Sequence, residues 1–142
     1  MNKISPKIFL DLKLHDIPNT VYEAVKSAAD HGVWMTNVHA SGGEEMLAAS
    51  KKALDDFESP PLLIGVTVLT SLSQNSLKEI GFNNLEDQVL RLAGLVKNSG
   101  LDGVVCAPTD VNSIKTKFGN SFLSVTPGVR PEDADSNDQN RI

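Results

Sequence analysis

Cysteine occurs once in the 142 residues, at Cys106, so neither a disulfide framework nor a cysteine-rich zinc site can be built. Long apolar runs are missing too. The longest, Pro60 to Leu69, is broken by Gly65 and Thr67 and falls far short of the roughly 20 residues that span a bilayer. Basic runs are absent, and eighteen acids against thirteen bases leave a formal charge of −5. That balance offers no footprint for nucleic acid and nothing to hold the chain to an acidic membrane. No apolar segment with a cleavage site follows Met1, which gives the expectation of a cytoplasmic protein. What remains is ordinary globular material, 40% apolar and 22% charged, long enough to bury a core as a single domain over residues 1–142.

Short apolar runs rich in branched residues alternate with amphipathic segments along the chain. The runs are Lys7–Leu14, Gly32–Val38, Leu62–Leu69, Gly103–Cys106 and Phe122–Val125. They lack a clean in/out alternation, which predicts strands buried on both faces of a parallel sheet. Four helical stripes lie between them. These are Val21/Val25/Ala28/Ala29, Met46/Leu47/Ala53/Leu54, Val89/Leu92/Ala93/Val96 ahead of Gly100, and Val111/Ile114/Phe118 ahead of Gly119. The pattern predicts five strands joined by four right-handed helical crossovers.

Strand starts recur about every 28 residues, and eight such steps approach the roughly 250 residues of a (β/α)8 barrel. The fold class expected is therefore α/β, an incomplete TIM barrel of about five strands. A doubly wound nucleotide-binding sheet could use five strands as well. Its glycine-rich phosphate turn is missing, because Lys13-Leu14-His15-Asp16-Ile17-Pro18 stands at that position. The acidic stretch after Pro131 reads as a mobile loop.

Charge concentrates at the end of the first run. Asp11 and Lys13, two apart, share a strand face with Phe9, and Asp16 follows three residues later. The C-terminal ends of barrel strands are where active sites form. A carboxylate, an ammonium and a second carboxylate on a buried strand need pairing, since unpaired buried charge is costly. A solvated ion pair at a strand edge accounts for the same spacing.

Four motifs in order carry a resemblance. They are Asp11-Leu12-Lys13-Leu14-His15-Asp16-Ile17-Pro18-Asn19-Thr20, Asn37-Val38-His39-Ala40-Ser41-Gly42-Gly43, Val66-Thr67-Val68-Leu69-Thr70-Ser71, and Val125-Thr126-Pro127-Gly128-Val129-Arg130-Pro131 running on to Asp138-Gln139. Together they resemble the orotidine 5′-phosphate decarboxylase family over essentially all of residues 8–142. The resemblance implies a cofactor-free, metal-free decarboxylation of orotidine 5′-phosphate to uridine 5′-phosphate, the last step of uridine monophosphate synthesis. It implies that Asp11 and Lys13 join an alternating Lys-Asp-Lys-Asp network, with Lys13 protonating C6. Asp16 completes that network from across a homodimer interface, where Thr20 also reaches the partner's ligand and Ile17 contacts substrate. Thr70 would sit beside the base or ribose, Pro127 near the pyrimidine, and Arg130 and Gln139 at the phosphate. The family pattern also has an Asp and a Lys on two earlier strands and a Gly-Arg phosphate clamp on a later one. The chain thus corresponds to strands three to seven of eight, with an incomplete site and no expected turnover of its own.

Two other readings stand beside it. A magnesium-dependent sugar-phosphate lyase or decarboxylase of the same superfamily shares Asp-x-Lys-x-x-Asp, but Ile17-Pro18-Asn19-Thr20 and Pro127-Gly128-Val129-Arg130 fit it less well. A truncated, non-catalytic chain is the third. Plainer readings cover the remaining residues. His15, His31 and His39 lack metal-ligand spacing, with His31 expected to cap a helix and His39 to sit polar at a strand end. Ser41-Gly42-Gly43 reads as a tight strand-to-helix turn and Cys106 as a small apolar filler. Trp34 and Met35 read as core or interface.

Overall fold

The computed structural model describes residues 6–129. The acidic tail after Pro131, together with Arg130 and Gln139, lies outside them. Five strands, β1 (Phe9–Leu14), β2 (Met35–His39), β3 (Leu62–Val66), β4 (Gly103–Val105) and β5 (Leu123–Val125), pair in chain order, every pair parallel. Helices α1 (Pro18–Asp30), α2 (Glu44–Lys52), α3 (Gln74–Glu79), α4 (Leu85–Asn98) and α5 (Val111–Phe118) fill the crossovers. This is the TIM-barrel wall expected from the strand spacing, present as an open, incomplete segment.

Alternating strand residues separate two apolar layers. Val38, Leu63 and Val104 face the helices and meet the predicted stripes, including Val21 and Val25 of α1, Met46 and Leu47 of α2, and Val89 and Val96 of α4. Met35, Ile64, Val66 and Val105 point the other way and form the smaller, barrel-interior cluster. Gly65 lets α4 approach the sheet. A Cβ there would stand 2.2 Å from Val96 Cγ2, so no larger residue fits without displacing the helix.

Three expectations are corrected. The crossover between β3 and β4 holds two helices, because α3 forms where no stripe announced it. Six polar-rich residues are capped by Ser73, whose side chain accepts from Ser76 N–H, and Leu77 alone is buried. The third strand stops at Val66, and Thr67 to Leu69 continue as a loop. β1 is not buried on both faces: it is an edge of the described sheet, and Ile8 and Leu12 are more than half exposed.

Other expectations hold. His31 caps α1, its backbone N–H and its ring Nδ1 both lying within hydrogen-bond distance of Ser27 O. The Ala40–Gly42 turn packs Gly42 against Met46, and Cys106 is fully buried. Met35 is core as expected, but Trp34 is not: it is exposed, beneath the Lys7 ammonium.

Candidate active site

The first strand carries an irregularity where its charges lie. Leu10 pairs with Thr36 and Leu14 with Val38, so β1 spends four residues where β2 spends two. Bulges of this kind re-aim side chains and recur beside active sites. Here the bulge turns Lys13 into the left-handed region, at φ 50°, the only described non-glycine residue with positive φ. That conformation costs an L residue about 1–2 kcal/mol. Side chains of β2 take over the interrupted ladder. Thr36 Oγ1 donates to Leu10 O at 3.1 Å, and Lys13 N–H donates to Asn37 Oδ1 at 2.8 Å.

The outcome is a compact pair. Lys13 Nζ donates to both carboxylate oxygens of Asp11, at 2.8 Å each. Asn37 Nδ2 donates to Asp11 Oδ1 at 2.6 Å. The charges are not buried as the strand pattern suggested, since the Lys13 and Asp11 side chains are 39% and 44% exposed. Burial pushes the Asp11 carboxyl up, but the hydrogen bonds from Lys13 and Asn37, with the lysine charge, outweigh it and hold it below its ordinary value. At neutral pH the group is therefore a carboxylate facing a fixed ammonium.

Asp16 does not join this pair. Among the described residues its Oδ1 accepts from Ile17 N–H at 2.7 Å, just before α1, which opens on Pro18 with its preset φ. Asp16, Ile17 and Thr20 all face solvent at this helix start, with Ile17 67% exposed. Thr70 is buried in the loop after β3, and Pro127 is exposed in the turn after β5. So one strand end gathers Asp11 and Lys13, while the other described candidates, Asp16, Ile17, Thr20, Thr70 and Pro127, lie after β1, β3 and β5 at the same strand-end face.

His39 closes the β2 end, its ring 5.3 Å from that of His15. Burial first, then His15 and the Lys13 cation, lower its pKa, so it is neutral at pH 7. A mostly apolar cleft of about 320 Å³ runs from these two rings past Thr67 and Val68 to Leu72 and Leu77. The residue that sequence reasoning missed is Asn37. Its signal was present: a fully buried asparagine between Thr36 and Val38 in a strand must hydrogen-bond something.

A family model described as "Orotidine 5'-phosphate decarboxylase / HUMPS family" matches residues 1–142. The chain belongs to this family.

Among similar proteins, the orotidine 5′-phosphate decarboxylase of Vibrio parahaemolyticus is 54% identical over 144 aligned positions, covering all of this chain and 62% of the relative. That of Saccharophagus degradans is also 54% identical, over 95% of this chain and 57% of its own length. A crystal structure of the Lactobacillus acidophilus orotidine 5′-phosphate decarboxylase superposes with a TM-score of 0.81 at 46% identity, over 88% of this chain and 58% of that one. The chain therefore spans about three fifths of the curated relatives it matches. A five-stranded parallel segment is what that share of this barrel family amounts to.

Proposed function

We propose that this segment forms the central part of an orotidine 5′-phosphate decarboxylase site, releasing carbon dioxide and uridine 5′-phosphate. The observation that carries the reading is the Asp11–Lys13 pair, bidentate at 2.8 Å on a strand end of a chain belonging to that family. In the proposed step the bond between C6 and the carboxylate breaks, and its electron pair stays on C6. The Lys13 ammonium gives C6 a proton, and solvent later restores the ammonium. No electron acceptor or added cofactor enters this balance. A fixed cation beside a carbon gaining negative charge is preorganised stabilisation of the kind that lowers a barrier most. The Asp11 carboxylate holds the Lys13 ammonium in one orientation between turnovers.

The exposed start of α1 supports a second part of the proposal. Asp16, Ile17 and Thr20 would serve the site of a second subunit, making the active protein a two-fold, cytoplasmic homodimer with shared sites. Thr70 would hold the base or ribose and Pro127 would pack near the pyrimidine. Arg130 and Gln139, outside the described residues, would bind the phosphate, whose remote binding energy positions C6. The segment alone would not turn over substrate. The family's further aspartate, lysine and phosphate-clamp arginine belong to strands beyond its five.

The test uses a chimera in which this segment replaces its counterpart in the Vibrio parahaemolyticus relative. Orotidine 5′-phosphate consumption is followed by absorbance. Lys13→Ala is expected to remove nearly all turnover while uridine 5′-phosphate still binds. Turnover within about tenfold of the parent, under roughly 1.4 kcal/mol, would refute the lysine's role. Mixing Asp16→Ala chains with Lys13→Ala chains is expected to restore activity through one intact composite site. No rescue despite demonstrated subunit exchange would place Asp16 in its own chain's site.

A further inference from the structure

We infer that Asn37 is a positioning residue for the Asp11–Lys13 pair, its buried amide spanning the β1 bulge and fixing the lysine backbone and the carboxylate together. The inference rests on the reading of Asp11 and Lys13 as the reacting pair. Its structural basis lies in the amide's two ends. The Lys13 N–H can only donate, so it takes Oδ1, at 2.8 Å. A carboxylate can only accept, so Asp11 Oδ1 takes Nδ2, at 2.6 Å. Each end has one partner that the other end could not serve, so a 180° turn of the amide would set donor against donor and acceptor against acceptor.

The side chain projects from β2, which is paired on both sides by β1 and β3, and is itself fully buried. Its platform is therefore rigid, while the strand it holds is irregular. Satisfying Lys13 N–H alone would explain an acceptor at this position, but not the donor aimed at Asp11. That carboxylate is 44% exposed and has water available for its free lone pairs. The Nδ2 bond is thus not needed to rescue a buried group; it selects one orientation of the carboxylate, and with it the place of the Lys13 ammonium. Groups on a site are held best from regular, well-packed elements. A pair built on a left-handed bulge has no such support from its own strand. The neighbouring charges agree with this role: Lys13 and Asn37 together keep Asp11 ionised, and neutral His39 further along β2 adds no competing cation.

The experiment has an arm that needs no substrate. In the 142-residue chain, NMR would follow the Asp11 side-chain carboxyl carbon against pH and the solvent exchange of the Lys13 amide. Asn37→Leu, close in shape, removes both hydrogen bonds. The Asp11 midpoint is expected to rise, and Lys13 amide exchange to quicken by about tenfold or more. Asn37→Asp keeps the acceptor but replaces the donor with a second acceptor. It is expected to raise the Asp11 midpoint while Lys13 stays protected, and it decides the question if Asn37→Leu does not fold. An unmoved Asp11 midpoint in a folded variant would overturn the inference and leave Asn37 a structural residue.

In the chimera, either variant is expected to lower kcat by about tenfold to a hundredfold, with KM changed less than about threefold. An unchanged kcat would overturn the positioning role. Should the unsubstituted chimera itself fail to consume orotidine 5′-phosphate, the functional reading falls, and the NMR arm still judges Asn37.

Discussion

Replacing Lys13 by glycine is expected to leave a more stable protein than replacing it by alanine, the reverse of the usual order in a strand. Lys13 is held at φ 50° by the bulge and by its N–H bond to Asn37. Both substitutions remove the same half-exposed ion pair with Asp11, so that loss cancels in the comparison. What remains is backbone alone. An L residue at left-handed φ stores about 1–2 kcal/mol that glycine does not. Glycine in turn loses about 0.5–1 kcal/mol of extra chain entropy on folding. The difference favours Lys13→Gly over Lys13→Ala by about 0.5–1 kcal/mol. Leu12, the adjacent exposed strand residue without positive φ, is the control, and there alanine is expected to be the more stable by a similar amount. Urea denaturation followed by circular dichroism resolves such differences when the slope is common to the variants. Lys13→Ala equal to or more stable than Lys13→Gly, with Leu12 behaving as expected, would refute the strained-bulge account of the site.

Gly65→Ala sets a Cβ 2.2 Å from Val96 Cγ2 on a fully buried, rotamer-locked helix residue. It is expected to cost about 1–3 kcal/mol. Adding Val96→Ala should recover part of that loss in a double-mutant cycle, and strict additivity would show that α4 does not rest on Gly65. For His39, whose folded pKa lies below the ordinary 6.5, the unfolded chain binds the proton more readily. Stability is therefore expected to fall as pH drops below that value. Asn or Gln at position 39 should flatten the slope there, and an unaltered pH profile would refute the burial of His39 beside His15 and Lys13. The depressed Asp11 acts further down, its contribution present above the ordinary carboxylate range and lost on acidification through it. Asp11→Asn is expected to remove that lower-pH component in the same melts.

Much of the fold was legible because it is written in short-range patterns. The stripes Val21/Val25/Ala28/Ala29 and Val89/Leu92/Ala93/Val96 are buried as the helical period requires. The branched runs became parallel strands in chain order. Asp11, Lys13 and Asp16 were visible as an unusual cluster of charges at a strand end, Thr20 only through the family resemblance, and Gly42 as part of a tight turn. Helix α3 was not legible, because six residues with a single buried side chain have no periodicity to read. They become helical through the Ser73 cap and the packing of Leu77.

Sequence by itself determined the alternation of strands and helices, the family, and which charged residues stand at the first strand's end. All follow from local periodicity and motif. Tertiary structure alone decided how those charges are used. The four-against-two register of β1 on β2 and the left-handed Lys13 depend on a partner strand about 25 residues away. So does the hydrogen bond that Asn37 donates to Asp11. A side chain reveals its chemistry in one dimension; its hydrogen-bond partner exists only once the second strand is laid beside it.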